Sequence, residues 1–420
     1  MVLRNADVSM RRSIVALAST GALAGLGCGP GLTSSGGDGS GGTSGAIDDH
    51  GAGTHADATG DEPIACEADC GALQITVGTY HSCIAVQDGS VWCWGYNVNG
   101  ALGVGTDEDS AVPVRVSGLS DVASVSAGAR GTCAALTDGT VRCWGENNYG
   151  QLGDGTTEPR WSPVAVEGLV GVVGIEAHAY HRCAWLKDGT ASCWGENTEG
   201  QLGDATTTDR LVPVEVVGLS DVVELSAGTY HVCARLGDGT ARCWGGNEYG
   251  QLGDGTFMSR PNPVNVVGLT GIVNISAQDW ETCAVLEDGT VWCWGRNQDG
   301  QLGDGTQQDR ATPAPVLGLG DVVSVTGAGS RTCAVTADGR AWGWGNGTNG
   351  TLAVDPSSNH LVAQPVVDFT EALMVECRGN HTCGLRRDGT AMCWGQNQYG
   401  QLGTGSISGS SAVPLPVLPW

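Results

Sequence analysis

The chain has 420 residues, 69 of them glycine, and only 15% are charged. Its formal net charge is −25, with 20 Lys and Arg against 45 Asp and Glu. Nucleic acid binding depends on Lys and Arg that face phosphates, so this balance excludes nucleic acid and disfavours an anionic membrane surface. Many glycines and few charges are typical of short strands joined by tight turns, and no long helical periodicity is present.

The first 28 residues resemble an export signal. Arg11-Arg12 precede an apolar stretch at 14–27, which is shorter than the roughly 20 residues that a membrane-spanning helix needs. Cys28 ends a segment that resembles a bacterial lipobox, although Gly25 stands where that motif prefers Leu. The sequence therefore predicts a signal peptide at 1–28 with lipidation of Cys28, starting at Met1 or Met10. The alternative is an ordinary cleaved signal.

Residues 29–65 consist mainly of Gly, Ser, Thr, Asp and Ala, with no apolar periodicity. Such a segment cannot bury enough apolar surface to fold, so it predicts a disordered, flexible linker. The folded region is expected at residues 66–420.

A 50-residue repeat fills the folded region. Seven tryptophans mark it at a constant interval: Trp94, Trp144, Trp194, Trp244, Trp294, Trp344 and Trp394. A period in this range indicates small units that stack or close into a ring. Within one unit, strand signals occupy 122–127, 132–136, 140–144 and 163–166, with Asp138-Gly139 at a hairpin turn. The sequence thus predicts an all-β fold, a seven-bladed β-propeller of four-stranded blades.

Paired cysteines fix the register of the hairpin. A three-residue loop at 137–139 places Cys133 directly opposite Cys143, and Gly139 stands where such a loop needs a left-handed backbone. Six units carry the pair, which predicts the disulfides Cys83–Cys93, Cys133–Cys143, Cys183–Cys193, Cys233–Cys243, Cys283–Cys293 and Cys383–Cys393.

Four further cysteines remain besides Cys28. In the sixth unit Cys333 faces Gly343, so it lacks the usual partner. Three pairings of the four are open, and we favour Cys333–Cys377 with Cys66–Cys70. The ten-residue spacing is not that of a zinc site, and no invariant His accompanies it, so no metal is expected.

The consensus Ser-Ala-Gly-x-x-His-x-Cys-Ala-Leu-x-Asp-Gly-Thr-Val-x-Cys-Trp-Gly-x-Asn-x-x-Gly-Gln-Leu-Gly-Asp-Gly-Thr resembles the repeat of the regulator of chromosome condensation family over residues 73–420. The paired cysteines resemble its exported bacterial variant. The resemblance implies a propeller, and the eukaryotic namesake is a nucleotide exchange factor for a small GTPase. That activity depends on a wedge inserted in one blade, for which the constant interval leaves no room. The family's secreted bacterial β-lactamase inhibitor, which binds protein through a propeller face, is the nearer precedent.

Candidate binding residues lie where the repeat varies. The loop between the first and second strands carries Tyr, Trp and Arg, which are enriched in protein-binding hot spots. Equivalent loops ring one face of a propeller, and we predict partner contacts at Tyr80, Arg130, Tyr180, Tyr230, Trp280 and Arg331. The alternative is that these side chains only pack between blades. We expect structural hydrogen bonds from His81, His181, His231 and His381, and from Asn97, Asn147, Asn197, Asn247, Asn297 and Asn397.

No Gly-x-Ser-x-Gly, phosphate loop or metal-spaced His pair occurs, so the sequence predicts neither an enzyme nor a cofactor. We expect an exported, monomeric binding scaffold that recognises a protein or glycan through one propeller face. It would be an outer-membrane or cell-surface lipoprotein, or periplasmic or secreted, touching the membrane only through the lipid anchor. Two alternatives stay open: a nucleotide exchange regulator by family analogy, and a purely structural surface protein.

Overall fold

The computed structural model describes residues 71–354, 358–407 and 409–420. The predicted signal peptide, the lipidation site Cys28, the linker and the predicted pair Cys66–Cys70 lie outside the described residues. The described chain forms seven four-stranded antiparallel sheets, each built from four strands that are consecutive in sequence. This confirms the predicted seven-bladed propeller. Among the described residues, no helix is long and apolar enough to cross a membrane.

The first strands of the blades contact one another and surround the centre of the ring. They are β1 (Ala72–Val77), β5 (Val122–Ala127), β9 (Val172–Ala177), β13 (Val222–Ala227), β17 (Ile272–Ala277), β21 (Val322–Ala328) and β25 (Ala372–Arg378). The second strands are β2 (His81–Val86), β6 (Gly131–Leu136), β10 (His181–Leu186), β14 (His231–Leu236), β18 (Glu281–Leu286), β22 (Arg331–Thr336) and β26 (His381–Arg386).

The third and fourth strands complete each blade toward its outer edge. The third strands are β3 (Val91–Gly95), β7 (Val141–Gly145), β11 (Ala191–Gly195), β15 (Ala241–Gly245), β19 (Val291–Gly295), β23 (Ala341–Asn346) and β27 (Ala391–Gln396). The fourth strands are β4 (Ser110–Arg115), β8 (Arg160–Ala165), β12 (Arg210–Glu215), β16 (Arg260–Asn265), β20 (Arg310–Pro315), β24 (Asn359–Pro365) and β28 (Ser410–Pro416). Two short 3-10 turns lie at Val98–Gly100 and Thr348–Gly350.

The hairpin register is the predicted one. Cys133 lies opposite Cys143, and Gly139 closes the three-residue loop with a φ of +82°. The fourth strand begins at Arg160, three residues earlier than predicted, because Arg160 pairs with Gly145 beyond a bulge. Pro163 therefore lies inside an edge strand, where a missing N–H breaks no ladder hydrogen bond.

The hydrophobic core is divided among the seven interfaces between neighbouring blades. One cluster, for example, combines Trp185 and Leu202 of the third blade with Leu225 and Trp244 of the fourth. The indole Nε1 of Trp244 donates a 2.9 Å hydrogen bond to the carbonyl of Gln201 in the preceding blade. The same contact closes the ring, since Trp94 of the first blade donates to Gln401 of the seventh at 2.9 Å.

Six cysteine pairs are disulfide-bonded in the predicted combinations, each with a Cα–Cα distance of 4.1 Å. Cys333 and Cys377, in contrast, are buried free thiols in hydrogen-bond contact, not the disulfide that we favoured. Cys333 has lost its cross-strand partner to Gly343, and the nearest cysteine belongs to the next blade. Burial raises the pKa of the Cys333 thiol, which keeps it protonated. Their oxidation to a disulfide stays a prediction.

Candidate partner-binding face

Two variable loops of each blade meet at one face of the propeller. The first loop joins the first and second strands, and the other follows the third strand. In the first blade the amide of Tyr96 donates to the carbonyl of Tyr80 at 3.0 Å. The same bond joins Glu146 to Arg130 and Arg296 to Trp280, at 2.9 and 3.0 Å. The two columns of variable residues are therefore adjacent in every blade.

Aromatic side chains cluster on this face, each cluster bridging two blades. We call the following set the aromatic face: Tyr80, Tyr96, Tyr149, Tyr180, Tyr230, Tyr249, Trp280 and Tyr399. All eight are half-buried, so each exposes part of its ring. Partial exposure of rigid rings is the pattern expected of a protein contact surface rather than of a core.

The largest cluster lies where the seventh blade meets the first. Tyr399 packs edge-on against Tyr80 and Tyr96, with ring centroids 5.6 and 4.9 Å apart. Tyr149 and Tyr180 join the second and third blades at 5.2 Å, and Tyr249 joins Trp280 at 6.3 Å. Neighbouring rings thus restrict one another's orientation.

Three members of these clusters escaped the sequence analysis: Tyr149, Tyr249 and Tyr399. They lie two residues after the repeated Asn, in a column that also contains Asn99, Glu199 and Asp299. The available signal was that Tyr149 precedes Tyr180 by the same number of residues as Tyr249 precedes Trp280. That regularity indicates a contact between blades.

Charged groups accompany the rings. Arg130 Nη1 lies 3.6 Å from Glu146 Oε1, and the Arg296 guanidinium lies over the Trp280 ring, 5.3 Å from its centroid. Burial raises the pKa of the Glu196 carboxyl and of the Tyr230 hydroxyl, and the Glu196 charge raises the pKa of Tyr230 further. The face therefore combines apolar rings with both signs of charge.

Arg331 does not belong to this face, although we placed it among the contact residues. Its side chain is only 5% exposed, and its Nη2 donates to the carbonyl of Gly379 in the next blade at 2.7 Å. The reason is its column. Arg331 occupies a position that holds His in four other blades and points between blades, while Ser330 before it is half-buried. The other five predicted contact residues are half-buried on the face.

Three members of the histidine column, His81, His231 and His381, make the predicted hydrogen bonds to the neighbouring blade, whereas neither imidazole nitrogen of His181 has a partner among the described residues. His231 Nε2 makes a 2.8 Å hydrogen bond with Thr282 Oγ1 of the next blade, and His81 and Thr132 repeat it at 2.9 Å. Burial lowers the pKa of His81 and His231 to about 3, so both stay neutral. The asparagine column is structural too, since Asn147 Nδ2 donates to the carbonyls of Thr156 and Glu158.

Side chains fill the centre of the aromatic face. Arg378 Nη1 reaches from the seventh blade to the carbonyls of Ala127 and Ala177, each at 2.8 Å. His178 Nε2 lies 3.4 Å from Asp279 Oδ1 on another blade. In the part of the chain that the structure describes, no group of three or more His, Cys, Asp or Glu is arranged to hold a metal. Side chains from the third, fifth and seventh blades thus meet at the centre of the face.

The regulator of chromosome condensation (RCC1) repeat matches this chain at residues 88–135, 138–185, 188–235, 238–285 and 288–335. A second description of the same repeat matches 73–101, 122–151, 222–251, 272–301 and 377–401.

Solved structures of this fold superpose well. Yeast RCC1 (Prp20) bound to Kap60 gives a TM-score of 0.72 at 20% identity, covering 81% of this chain and 85% of that chain. Human WBSCR16 gives 0.71 at 21% identity, covering 79% and 94%. Prp20p from Saccharomyces cerevisiae gives 0.70 at 21%, covering 81% and 87%. Because the repeat matches span more than half of the sequence, the chain belongs to the regulator of chromosome condensation (RCC1) repeat family.

Proposed function

We propose that this chain is an exported, non-enzymatic scaffold that binds a protein partner through the aromatic face. The observation that carries the proposal is the set of eight half-exposed rings on one face, seven of which form clusters that bridge neighbouring blades. Tyr and Trp supply large contact areas and lose few rotamers on binding, so rings already held by neighbours cost little to immobilise.

The opposite face has a different character. Its exposed apolar residues include Val170, Val217, Val267, Leu317 and Val367, which are all aliphatic and come from separate blades. Exposed aliphatic side chains are ordinary on protein surfaces, whereas clustered half-exposed rings are enriched at contact surfaces. The contrast between the two faces favours the aromatic one as the contact surface.

Export is supported by the cysteines. Six disulfides form and persist in oxidising compartments and are rare in the cytosol. The predicted signal at 1–28 agrees with this, and lipidation of Cys28 would tether the propeller by its linker. A monomer anchored in this way would present the aromatic face to a soluble or envelope-bound protein.

Protein binding also agrees with solved structures of Prp20. One shows it bound to Kap60, and another concerns its binding to Gsp1p and histones. Those partners belong to that protein, and 20–21% identity carries the fold alone. Nucleotide exchange remains the alternative proposal. In the described residues the first strands begin at a constant interval, from Ala72 to Ala372, so no blade has an added wedge.

The test compares two triple variants of the full chain in affinity capture from cell-envelope extract. The variant Tyr180→Ala/Tyr230→Ala/Trp280→Ala removes rings from three adjacent blades. The control Val170→Ala/Val217→Ala/Val267→Ala trims exposed residues on the opposite face. Hot-spot truncations cost about 2 kcal/mol or more each, so the first variant should lose specific partners at least about tenfold. Thermal unfolding confirms that both variants are folded.

Equal recovery of every protein by the wild type and the ring variant would rule out the aromatic face as the contact surface. A parallel measurement of binding to immobilised cell-envelope glycans separates a glycan partner from a protein. Stimulated nucleotide release from a small GTPase would instead support the exchange alternative.

A further inference from the structure

The first strands surround a central channel that contains a cavity of about 110 Å³. Trp185, Leu373 and Met374 form its apolar wall, and Glu176 and Glu376 are among its polar residues. A second cavity of about 100 Å³ shares these two glutamates and continues toward Arg378, near the aromatic face. We call the first space the channel cavity. The first strands end at the aromatic face, and the residues that line the channel cavity, such as Gln74 and Met374, come before those ends. The channel cavity therefore lies on the side of the ring away from the aromatic face.

In the third blade, the absence of a side chain at one position leaves room for the indole of Trp185 beside the channel. Gly174 and Trp185 are cross-strand partners, and a Cβ at Gly174 would lie 2.2 Å from the Trp185 ring. The corresponding residues of the other blades are larger: Gln74, Ser124, Glu224, Asn274, Ser324 and Met374. The third blade alone therefore places an indole against this cavity.

Two buried polar groups on the wall lack partners. Trp185 Nε1 and Ser124 Oγ have no hydrogen-bond partner among the described residues, although the side chains are only 2% and 7% exposed. Buried donors and acceptors are nearly always satisfied, so an orphaned pair on one cavity wall indicates a bound group or water.

The two glutamates are also unpaired. No described side chain hydrogen-bonds to Glu176 or Glu376, and the surface they retain faces the channel. By contrast, Glu224 accepts 2.7 and 2.9 Å bonds from Arg235 and Asn274. Arg378 is the nearest cation, but its Nη1 is already bonded to two carbonyls.

Burial raises the pKa of Glu176 to about 8 and that of Glu376 to about 7. Arg378 opposes both shifts, while the Glu376 and Glu224 charges add to the shift of Glu176. The channel thus has more acidic than basic groups, and a bound cation would relieve that imbalance.

We propose that the channel cavity binds a small alkylammonium ion, with its nitrogen between Glu176 and Glu376 and its carbon chain against Trp185 and Met374. Carboxylates beside an aromatic ring favour an ammonium group. A metal is disfavoured, because no three ligating side chains converge in the described residues. The volume is somewhat below the roughly 150 Å³ cavity that accepts benzene, which suits a chain of about four carbons.

This proposal is independent of the aromatic face. The ammonium group can come from a free amine or from a lysine side chain of a partner. Titration calorimetry of the full chain with n-butylammonium, with 1-butanol and with N-acetyl-lysine amide distinguishes these sources. We expect n-butylammonium to bind and 1-butanol, which has nearly the same shape without the charge, to bind at least about tenfold more weakly. Binding of the lysine derivative as well indicates a side-chain ligand.

The variants Glu176→Gln and Glu376→Gln should each weaken n-butylammonium binding about tenfold or more, since each removes a charged acceptor. The control Glu215→Gln makes the same change on an exposed fourth strand and should leave the affinity unchanged. Cation binding also lowers both raised pKa values, so protons are released at pH 7.5. The observed enthalpy should therefore differ between phosphate and Tris buffers.

Equal affinity for n-butylammonium and 1-butanol would overturn the proposal. So would an equal loss of affinity in Glu215→Gln. The proposal would also fail if n-butylammonium did not bind at about 10 mM, a concentration at which weak complexes form. Calcium chloride at the same ionic strength is the inorganic control. Tighter binding of calcium than of n-butylammonium would also contradict the proposal. If a variant unfolds, the affinities of the wild-type protein for n-butylammonium and for 1-butanol still decide whether the proposal holds.

Discussion

The sixth blade differs from the other six both in the link between its own strands and in its contact with the next blade. Elsewhere a disulfide joins the second and third strands, and the repeated tryptophan donates to the preceding blade. In the sixth blade Gly343 replaces the second cysteine, and Leu352 occupies the space where its side chain would begin. The next tryptophan, Trp394, has no partner for Nε1 within the described part of the chain. Two of the repeated contacts are therefore lost at one place in the ring.

Compensation for this loss lies in the apolar core between the sixth and seventh blades. Phe369 stands where the first five blades have Leu, and its ring centroid lies 5.4 Å from that of Trp394. Gly384 stands where five other blades have Ala, and it makes room for Phe369, since a Cβ there would lie 2.3 Å from Phe369 Cζ. We expect packing between these two blades to offset the covalent bond that the sixth blade lacks.

The largest effect should follow from removing a repeated tryptophan. Trp244→Ala deletes a fully buried indole, which costs about 3–5 kcal/mol in unfolding free energy. Trp244→Phe should cost about 1 kcal/mol more than Trp394→Phe, because only Trp244 loses a hydrogen bond. Urea denaturation followed by circular dichroism measures both differences.

Trp161→Ala is the matched control for these variants, because Trp161 is 41% exposed on a fourth strand. It should cost well under 1 kcal/mol, on the order of an ordinary surface substitution. If Trp394→Phe proves as costly as Trp244→Phe, the seventh blade relies on its tryptophan as the others do, and the comparison fails.

The disulfides provide the second test. The double variant Cys233→Ala/Cys243→Ala should lose about 3 kcal/mol, the loop-closure value for a cross-link of this length. Gly343→Cys should bring no matching gain, because its Cβ would lie 2.9 Å from Leu352 Cδ2. Denaturation gives the energies, and a non-reducing peptide map shows which cysteines are joined.

The same map locates Cys333 and Cys377, which we expect to be linked in the exported, oxidised protein. A disulfide between Cys333 and the thiol introduced by Gly343→Cys, with a gain in stability, would show that the sixth hairpin is still shaped for this bond. In that case the lost cysteine would not be compensated by packing.

A double-mutant cycle tests the compensating pair at the next junction. Gly384→Ala alone should cost about 1–3 kcal/mol by overpacking against Phe369, and Phe369→Leu alone about 1 kcal/mol by leaving a void. Together they restore the usual Ala and Leu, so the double variant should cost less than the sum of both. Strict additivity of the two unfolding free energies would deny the coupling. Leu219→Phe, which faces Ala234, is the control and should only destabilise.

Local sequence patterns were enough to predict the fold, whereas the contacts between blades could not be predicted from them. Cys133 and Cys143 lie within one hairpin, so their spacing and Gly139 were enough to set the register. Tyr149 and Tyr180 meet only because the ring brings successive blades together. Arg331 was misplaced for a related reason: sequence gives the column of a residue but not whether that column points outward or toward the next blade. The match of Gly174 to Trp185 across two strands was equally hidden.

The smallest effect concerns the histidine column, which has His in four blades and Gly131, Glu281 and Arg331 in the second, fifth and sixth. The imidazole nitrogens of His181, unlike Nε2 of His231, have no hydrogen-bond partner among the described residues. Burial, and then the charge of Arg182, lowers the pKa of His181 to about 3. The folded pKa lies below the unfolded value of about 6.5, so the contribution of His181 to stability is complete above pH 6.5. It is lost progressively as the pH falls toward 3.

His181→Leu removes both the titration and an unpaired imidazole. Its unfolding free energy should equal or exceed that of the wild type by up to about 1 kcal/mol at pH 7, and should fall less between pH 7 and pH 4. His231→Leu is the control. It gives up the bond to Thr282, so it should lose about 1 kcal/mol at pH 7 while also flattening the acid slope. Urea denaturation across this pH range measures both slopes. An unchanged slope in both variants would show that acid sensitivity arises outside the histidine column, and that Arg331 does not set the sixth blade apart in this respect.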